Sequence, residues 1–154
     1  MAFRLAGRAR AALLIVLAAV IGIQFIRPSH ANPPVDPARS LLPKAPADVR
    51  TILDRSCRDC HSNETRWPLY SQVAPMSWLV ASHVRDGRDR FNYSEWGTYD
   101  SDEQDKLLGG VCSLTKRKRM PLPSYLLIHR SATLSPADVT ALCDWSEKMR
   151  DTLQ

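Results

Sequence analysis

The sequence predicts an all-α domain with long functional loops, and three observations predict it. Apolar residues recur at helical spacing in four separate windows after residue 47. No run of strictly alternating apolar and polar residues is long enough for a β-sandwich. Only Gly87, Gly97, Gly109 and Gly110 lie beyond the N-terminal stretch, and no G-x-G-x-x-G or G-x-x-x-x-G-K-[ST] loop can be read, so the common nucleotide-binding frameworks are absent.

Residues 1–31 carry Arg4, Arg8, Arg10 and Arg27 and no acid. Residues 11–26 hold a single polar residue, Gln24. A basic start followed by an apolar run is the pattern of an export segment. The run is slightly short for a spanning helix, which takes about 17–25 residues. Ser29, His30 and Ala31 supply small residues for a cleavage site among crowding prolines, so a cleaved signal peptide and a retained membrane anchor both stay open for 1–31. Either way the rest of the chain is expected outside the cytoplasm, in the periplasm, with the arginines left on the cytoplasmic side. The remainder is nearly neutral, with 17 basic and 16 acidic residues. A nucleic-acid partner is therefore not expected.

Residues 28–46 contain six of the eleven prolines. That composition predicts an extended, semi-rigid tether unable to pack, assigned here to residues 32–46. The folded domain is then 47–154, small enough for its apolar core to be marginal and to need a staple such as a cofactor or disulfide. Helices are predicted over 48–57, 76–85, 101–114 and 135–153. The third opens on the capping pair Ser101 and Gln104, and the fourth has Pro136 at its first position after Ser135. A short turn covers 124–129. The stretches 61–75, 86–100 and 115–123 read as loops. Paired acids such as Asp102 and Glu103 sit at a helix start, where the dipole favours them without any catalytic role.

Chemistry concentrates in Cys57-Arg58-Asp59-Cys60-His61, a C-x-x-C-H motif closing a predicted helix. Two thiols three residues apart can reach two vinyl groups on one edge of a haem, and the adjoining His61 then lies beneath the iron. A thioredoxin-type C-x-x-C would follow a strand and open a helix. A zinc site would want a second closely spaced ligand pair, whereas Cys112 and Cys143 lie 31 residues apart. One covalent haem c is the expected cofactor. For the second axial position the candidates are Met120, Met76, His83 and His129. Met120, between the basic run Lys116–Arg119 and the stiffening Pro121 and Pro123, is preferred, with His83 as the alternative and a five-coordinate iron also open. Met76 and His83 fall on the apolar face of a helix, where packing accounts for them, and His129 can cap a helix end.

The combined motifs C-x-x-C-H-S (57–62), T-x-W-P-x-Y-S (65–71), A-P-x-S-W (74–78), H-V-x-x-G-R (83–88) and N-x-S-x-W (92–96), with the later M-P-L-P-S-Y and Leu134-Ser135…Trp145, are similar to the haem-binding domain family of small exported bacterial proteins. The resemblance covers about residues 48–147. Leu69 departs from it, since members often carry a second Trp there. It implies a cytochrome c-like mono-haem fold, Cys57 and Cys60 as thioether sites, His61 as proximal ligand, and Met120 in a Met-Pro ligand loop.

Three further expectations follow. Arg66 or an indole such as Trp67 is a candidate contact for a haem propionate, against an ordinary packing role. Cys112 and Cys143 fall on inner helix faces and are a candidate disulfide, against two buried thiols. Lys116–Arg119 is a candidate docking patch for an acidic redox partner protein or anionic lipid. The leading functional expectation is a single-electron carrier rather than an enzyme. A haem sensor or peroxidase-like enzyme with an open or displaceable ligand is the alternative, and a structural haem subunit of a membrane redox complex is the third.

Overall fold

The computed structural model describes the backbone of residues 2–153, with side chains from residue 7 onward. Among the described residues all regular structure is helical. The helices are α1 (Ala2–Ile23), α2 (Ala47–Ser56), α3 (Arg58–His61), α4 (Met76–Arg90), α5 (Ser101–Lys116), α6 (Pro123–Leu126) and α7 (Pro136–Asp151). Short 3₁₀ turns fill the connections at Leu42–Lys44, Leu69–Gln72, Tyr93–Thr98 and Arg130–Ala132. The chain divides into two compact units, Met1–Ala31 with Trp67–His83, and Asn32–Arg66 with Val84–Gln154.

In the first unit the apolar stretch is helical only as far as Ile23, and Leu13, Leu14, Ile15, Val16, Leu17, Val20 and Ile21 are all exposed. Among the described residues no helix is long and apolar enough to cross a membrane. The stretch after α1 is tied down. The Gln24 side chain donates to the Ala74 carbonyl at 3.3 Å and accepts from the Ala74 amide at 3.0 Å. The Trp78 indole donates to the Ile26 carbonyl at 2.8 Å. His30 stacks on Trp67 with ring centroids 4.3 Å apart.

The second unit has a core of Leu41, Ala45, Val49, Ile52, Leu53, Tyr93, Trp96, Leu108, Leu142 and Trp145. Helix α2 buries Val49, Ile52, Leu53 and Ser56, the stripe its periodicity predicts. Helices α5 and α7 pack together, joined by a Cys112–Cys143 disulfide and by an Arg150–Asp105 ion pair with N–O distances of 2.7 and 3.1 Å. Ser135 and Asp138 form the capping box of α7, and Arg55 of α2 reaches that same Asp138 at 2.8 Å.

Three expectations are corrected. The Pro-rich segment does pack: Leu41 is fully buried, its amide donates to the Tyr93 carbonyl, and the Arg39 carbonyl accepts from Gly97. An apolar pair, Leu41-Leu42, inside proline-rich chain was enough to seat it. The cap of α5 is Asp100, whose carboxylate accepts from the Glu103 amide at 2.8 Å; Gln104 turns back instead to the Trp96 and Tyr99 carbonyls. The stretch 86–100 is not a loop, because α4 runs on to Arg90 and a 3₁₀ turn follows.

Replacing Cys112 and Cys143 by Ala should lower unfolding free energy in urea by about 3–4 kcal/mol, the loop-closure value for a cross-link of this span. A loss below about 1 kcal/mol would show that α5 and α7 hold together without the bond.

Candidate functional site

Helix α2 ends where the Cys57 amide donates to the Leu53 carbonyl at 3.0 Å. Cys57 leaves helical geometry, and Arg58–His61 then form one further turn, with the His61 amide on the Cys57 carbonyl at 3.0 Å. Both thiols and the imidazole thus project from a single turn. Cys57 and Cys60 are free and half-buried. Burial pushes the Cys57 thiol up to about 12 and the Cys60 thiol to about 11, with the mutual repulsion of the two thiolates adding at Cys57 and the Asp59 charge at Cys60. Both are neutral S–H groups near pH 7, slow to oxidise or exchange.

His61 Nδ1 lies 2.8 Å from the Phe91 carbonyl oxygen. A carbonyl can only accept, so Nδ1 carries the proton and Nε2 keeps its lone pair. Burial lowers the His61 pKa, while the Phe91 and Gly87 carbonyls pull it back upward. A neutral imidazole with one nitrogen pinned and the other free is the form that binds a metal. Among the described residues no group of three or more His, Cys, Asp and Glu is arranged to hold a bare metal ion.

The turn is clamped on several sides. A Cβ on Gly87 of α4 would sit 2.4 Å from the Cys60 carbonyl oxygen, so only glycine lets α4 approach this closely. Arg88 donates to the Ser62 carbonyl at 2.8 Å, to Thr65 Oγ1 at 2.9 Å and to Asn32 Oδ1 at 2.8 Å. Thr65 Oγ1 donates to the Asp59 carbonyl at 2.8 Å. Buried Asn63 accepts from Asn92 at 2.7 Å, and its own amide groups donate to Ser94 and Glu95. The two variable residues of the motif are also held. Arg58 pairs with Asp54 and Glu64. Asp59 accepts from the Arg66 backbone and Nε and from the Tyr125 hydroxyl at 3.0 Å.

The haem-binding domain family model matches residues 18–148. The chain belongs to the haem-binding domain family. Comparison with curated proteins and with solved structures gives no match. As a haem-binding domain the chain fits its cofactor on one feature of its own geometry: an imidazole whose Nδ1 is held on the Phe91 carbonyl, next to two free cysteines. Thr65, Gly87, Arg88, Asn92 and Ser94 are among the residues that clamp the turn.

The other expected residues are placed as follows. Arg66 gives its Nε to Asp59 and its Nη2 to the Asp54 carbonyl at 2.6 Å. Trp67 stacks on His30 in the first unit. Met76 and His83 lie within α4, both half-buried. His129 stacks on Tyr125 at 4.1 Å. Met120 follows a left-handed residue, Lys118 (φ 55°), at which α5 stops: the Arg119 amide returns to the Leu114 carbonyl and the Lys118 amide to Thr115. It lines a cavity of about 480 Å³ with Pro121, Leu126, Leu134 and Val139, and none of Cys57, Cys60 or His61 lines that cavity. Lys116–Arg119 are all exposed. Sequence reasoning missed Tyr125 and Asp59 as partners.

Gly87→Ala should destabilise the folded chain by about 2 kcal/mol through overpacking, despite the better helix propensity of Ala. A rise in melting temperature would refute the close approach. Cys57 and Cys60 of the haem-free folded chain should alkylate at pH 8 about a hundredfold more slowly than in urea, their folded values lying two or more units above the ordinary 9.0. The stabilisation from keeping them neutral is complete below pH 9 and is lost as pH rises through 11–12.

Proposed function

We propose that this haem-binding domain is a mono-haem c-type cytochrome that passes single electrons to a redox partner protein in the periplasm. One observation carries the reading: His61 has its Nδ1 proton fixed on the Phe91 carbonyl, immediately after two neutral, free thiols on the same turn. Cys57 and Cys60 would hold a haem through two thioethers, each S–H adding across one vinyl group with no net oxidation. A haem so attached supplies a one-electron iron couple. His61 Nε2 would bind the haem iron; burial favours the neutral imidazole, and the Phe91 carbonyl fixes its rotation. Met120, on a loop that its prolines hold stiff, would supply the second ligand, and an iron so held would suit outer-sphere electron transfer. The exposed cluster Lys116–Arg119 offers an acidic partner a docking surface close in sequence to that ligand.

The N-terminal segment is retained in this reading. Gln24, Ile26 and His30 hold Ala74, Trp78 and Trp67, and the family match begins at residue 18, so removal of 1–31 would strip the first unit of its partners. The exposed apolar face of α1 is then the part that meets a membrane.

A second reading, a ligand sensor or peroxidase-like haem protein, draws on one observation: Met120 lines a cavity that contains none of the motif side chains. Spectra separate the two. The ferric protein should show a far-red sulfur-to-iron band, and the ferrous protein should resist carbon monoxide until Met120→Ala opens the site. A high-spin wild-type spectrum with rapid carbon monoxide binding would favour the second reading.

A further inference from the structure

The Tyr125 hydroxyl donates to Asp59 Oδ2 at 3.0 Å, across 66 residues of sequence. Asp59 is a variable position inside the C-x-x-C, adjacent to Cys60, and its carboxylate is largely shielded. Its other oxygen already accepts from Arg66. Tyr125 sits in α6, whose first turn returns to the Leu122 carbonyl through the Tyr125 and Leu126 amides at 2.9 and 3.1 Å. Only four residues separate Met120 from Tyr125, and two of them are proline. Proline fixes φ, so this stretch has few conformations to adopt. On the far side of the ring, His129 stacks at 4.1 Å with planes 8° apart, which fixes the direction of the phenol. A hydrogen bond to a carboxylate is also stronger than one between neutral groups.

We infer that Tyr125 is a positioning residue: its bond to Asp59 latches the Met120 loop to the haem-attachment turn and so sets how firmly Met120 is held at the iron. The inference rests on the proposed c-type reading and names the residue that controls its weaker ligand. A thioether bond to iron is easily displaced, so the loop must be anchored for the bond to persist. This bond joins α6 directly to the motif. Loss of the hydroxyl leaves the His129 stack and the α6 backbone bonds in place, and removes this bond to the turn.

The test uses the full chain matured with haem, as wild type, Tyr125→Phe, Asp59→Ala, the double variant and Met120→Ala. Helical circular dichroism and the mass of the attached haem establish that each has folded and loaded. Imidazole is titrated into the ferric protein, and the far-red band is recorded alongside. Tyr125→Phe should carry the wild-type amount of haem, bind imidazole about tenfold more tightly, and show a weaker band. Asp59→Ala should do the same, and adding Tyr125→Phe to it should change nothing more, as two ends of one interaction require. Imidazole affinity within twofold of wild type in Tyr125→Phe, or fully additive effects in the double variant, would overturn the latch. Loaded wild type whose band survives Met120→Ala would also overturn it, while leaving covalent attachment standing. A wild-type chain with no covalent haem would overturn the underlying reading itself, and the mass reports that before any titration.

Discussion

One bond orders the rest of the site: the His61 imidazole held by the Phe91 carbonyl. A histidine beside two thiols has two ring nitrogens and free rotation, so in a flexible peptide it is an indifferent ligand. Here Phe91 follows directly on α4, and its carbonyl takes the Nδ1 proton. The tautomer, the ring plane and the free Nε2 are all set before any metal arrives. Because Phe91 also lies in the aromatic group with Tyr93 and Trp96, the acceptor is fixed by the core rather than by a mobile loop.

Much of the second unit serves to hold that turn. Gly87 lets α4 come within backbone contact of Cys60, Arg88 spans three oxygens around the turn, and Asn63 is sealed in by Asn92, Ser94 and Glu95. These are buried polar networks, costly if one member is missing and rigid when complete. The apolar core beneath them is small, and the Cys112–Cys143 bond between α5 and α7 supplies what a domain of this size lacks in buried area.

The four long helices after residue 47 and the turn that carries the cysteines were legible from periodicity and from the motif itself. The length of α4 was not, because Asp86, Gly87, Arg88, Asp89 and Arg90 look like a charged loop; the glycine there is a packing device and the arginine a clamp. The seating of Leu41 was hidden by surrounding prolines, which constrain φ without forbidding burial. Asp100 outcompeted Ser101 as the cap, since a carboxylate at the N-terminus also gains from the helix dipole. The pairing of Arg66 with Asp59 and the Asp54 carbonyl had no signal in the sequence, since these residues carry no periodic pattern that brings them together. The Tyr125–Asp59 bond, 66 residues apart, had no local signal at all.

The most direct test is the intact mass and visible spectrum of the full chain, expressed in a host able to attach haem to C-x-x-C-H motifs. The account predicts a coloured protein heavier than the bare chain by one haem, the added mass surviving denaturation and disappearing when Cys57 and Cys60 are both replaced by Ala. A colourless product with the mass of the polypeptide alone would contradict it.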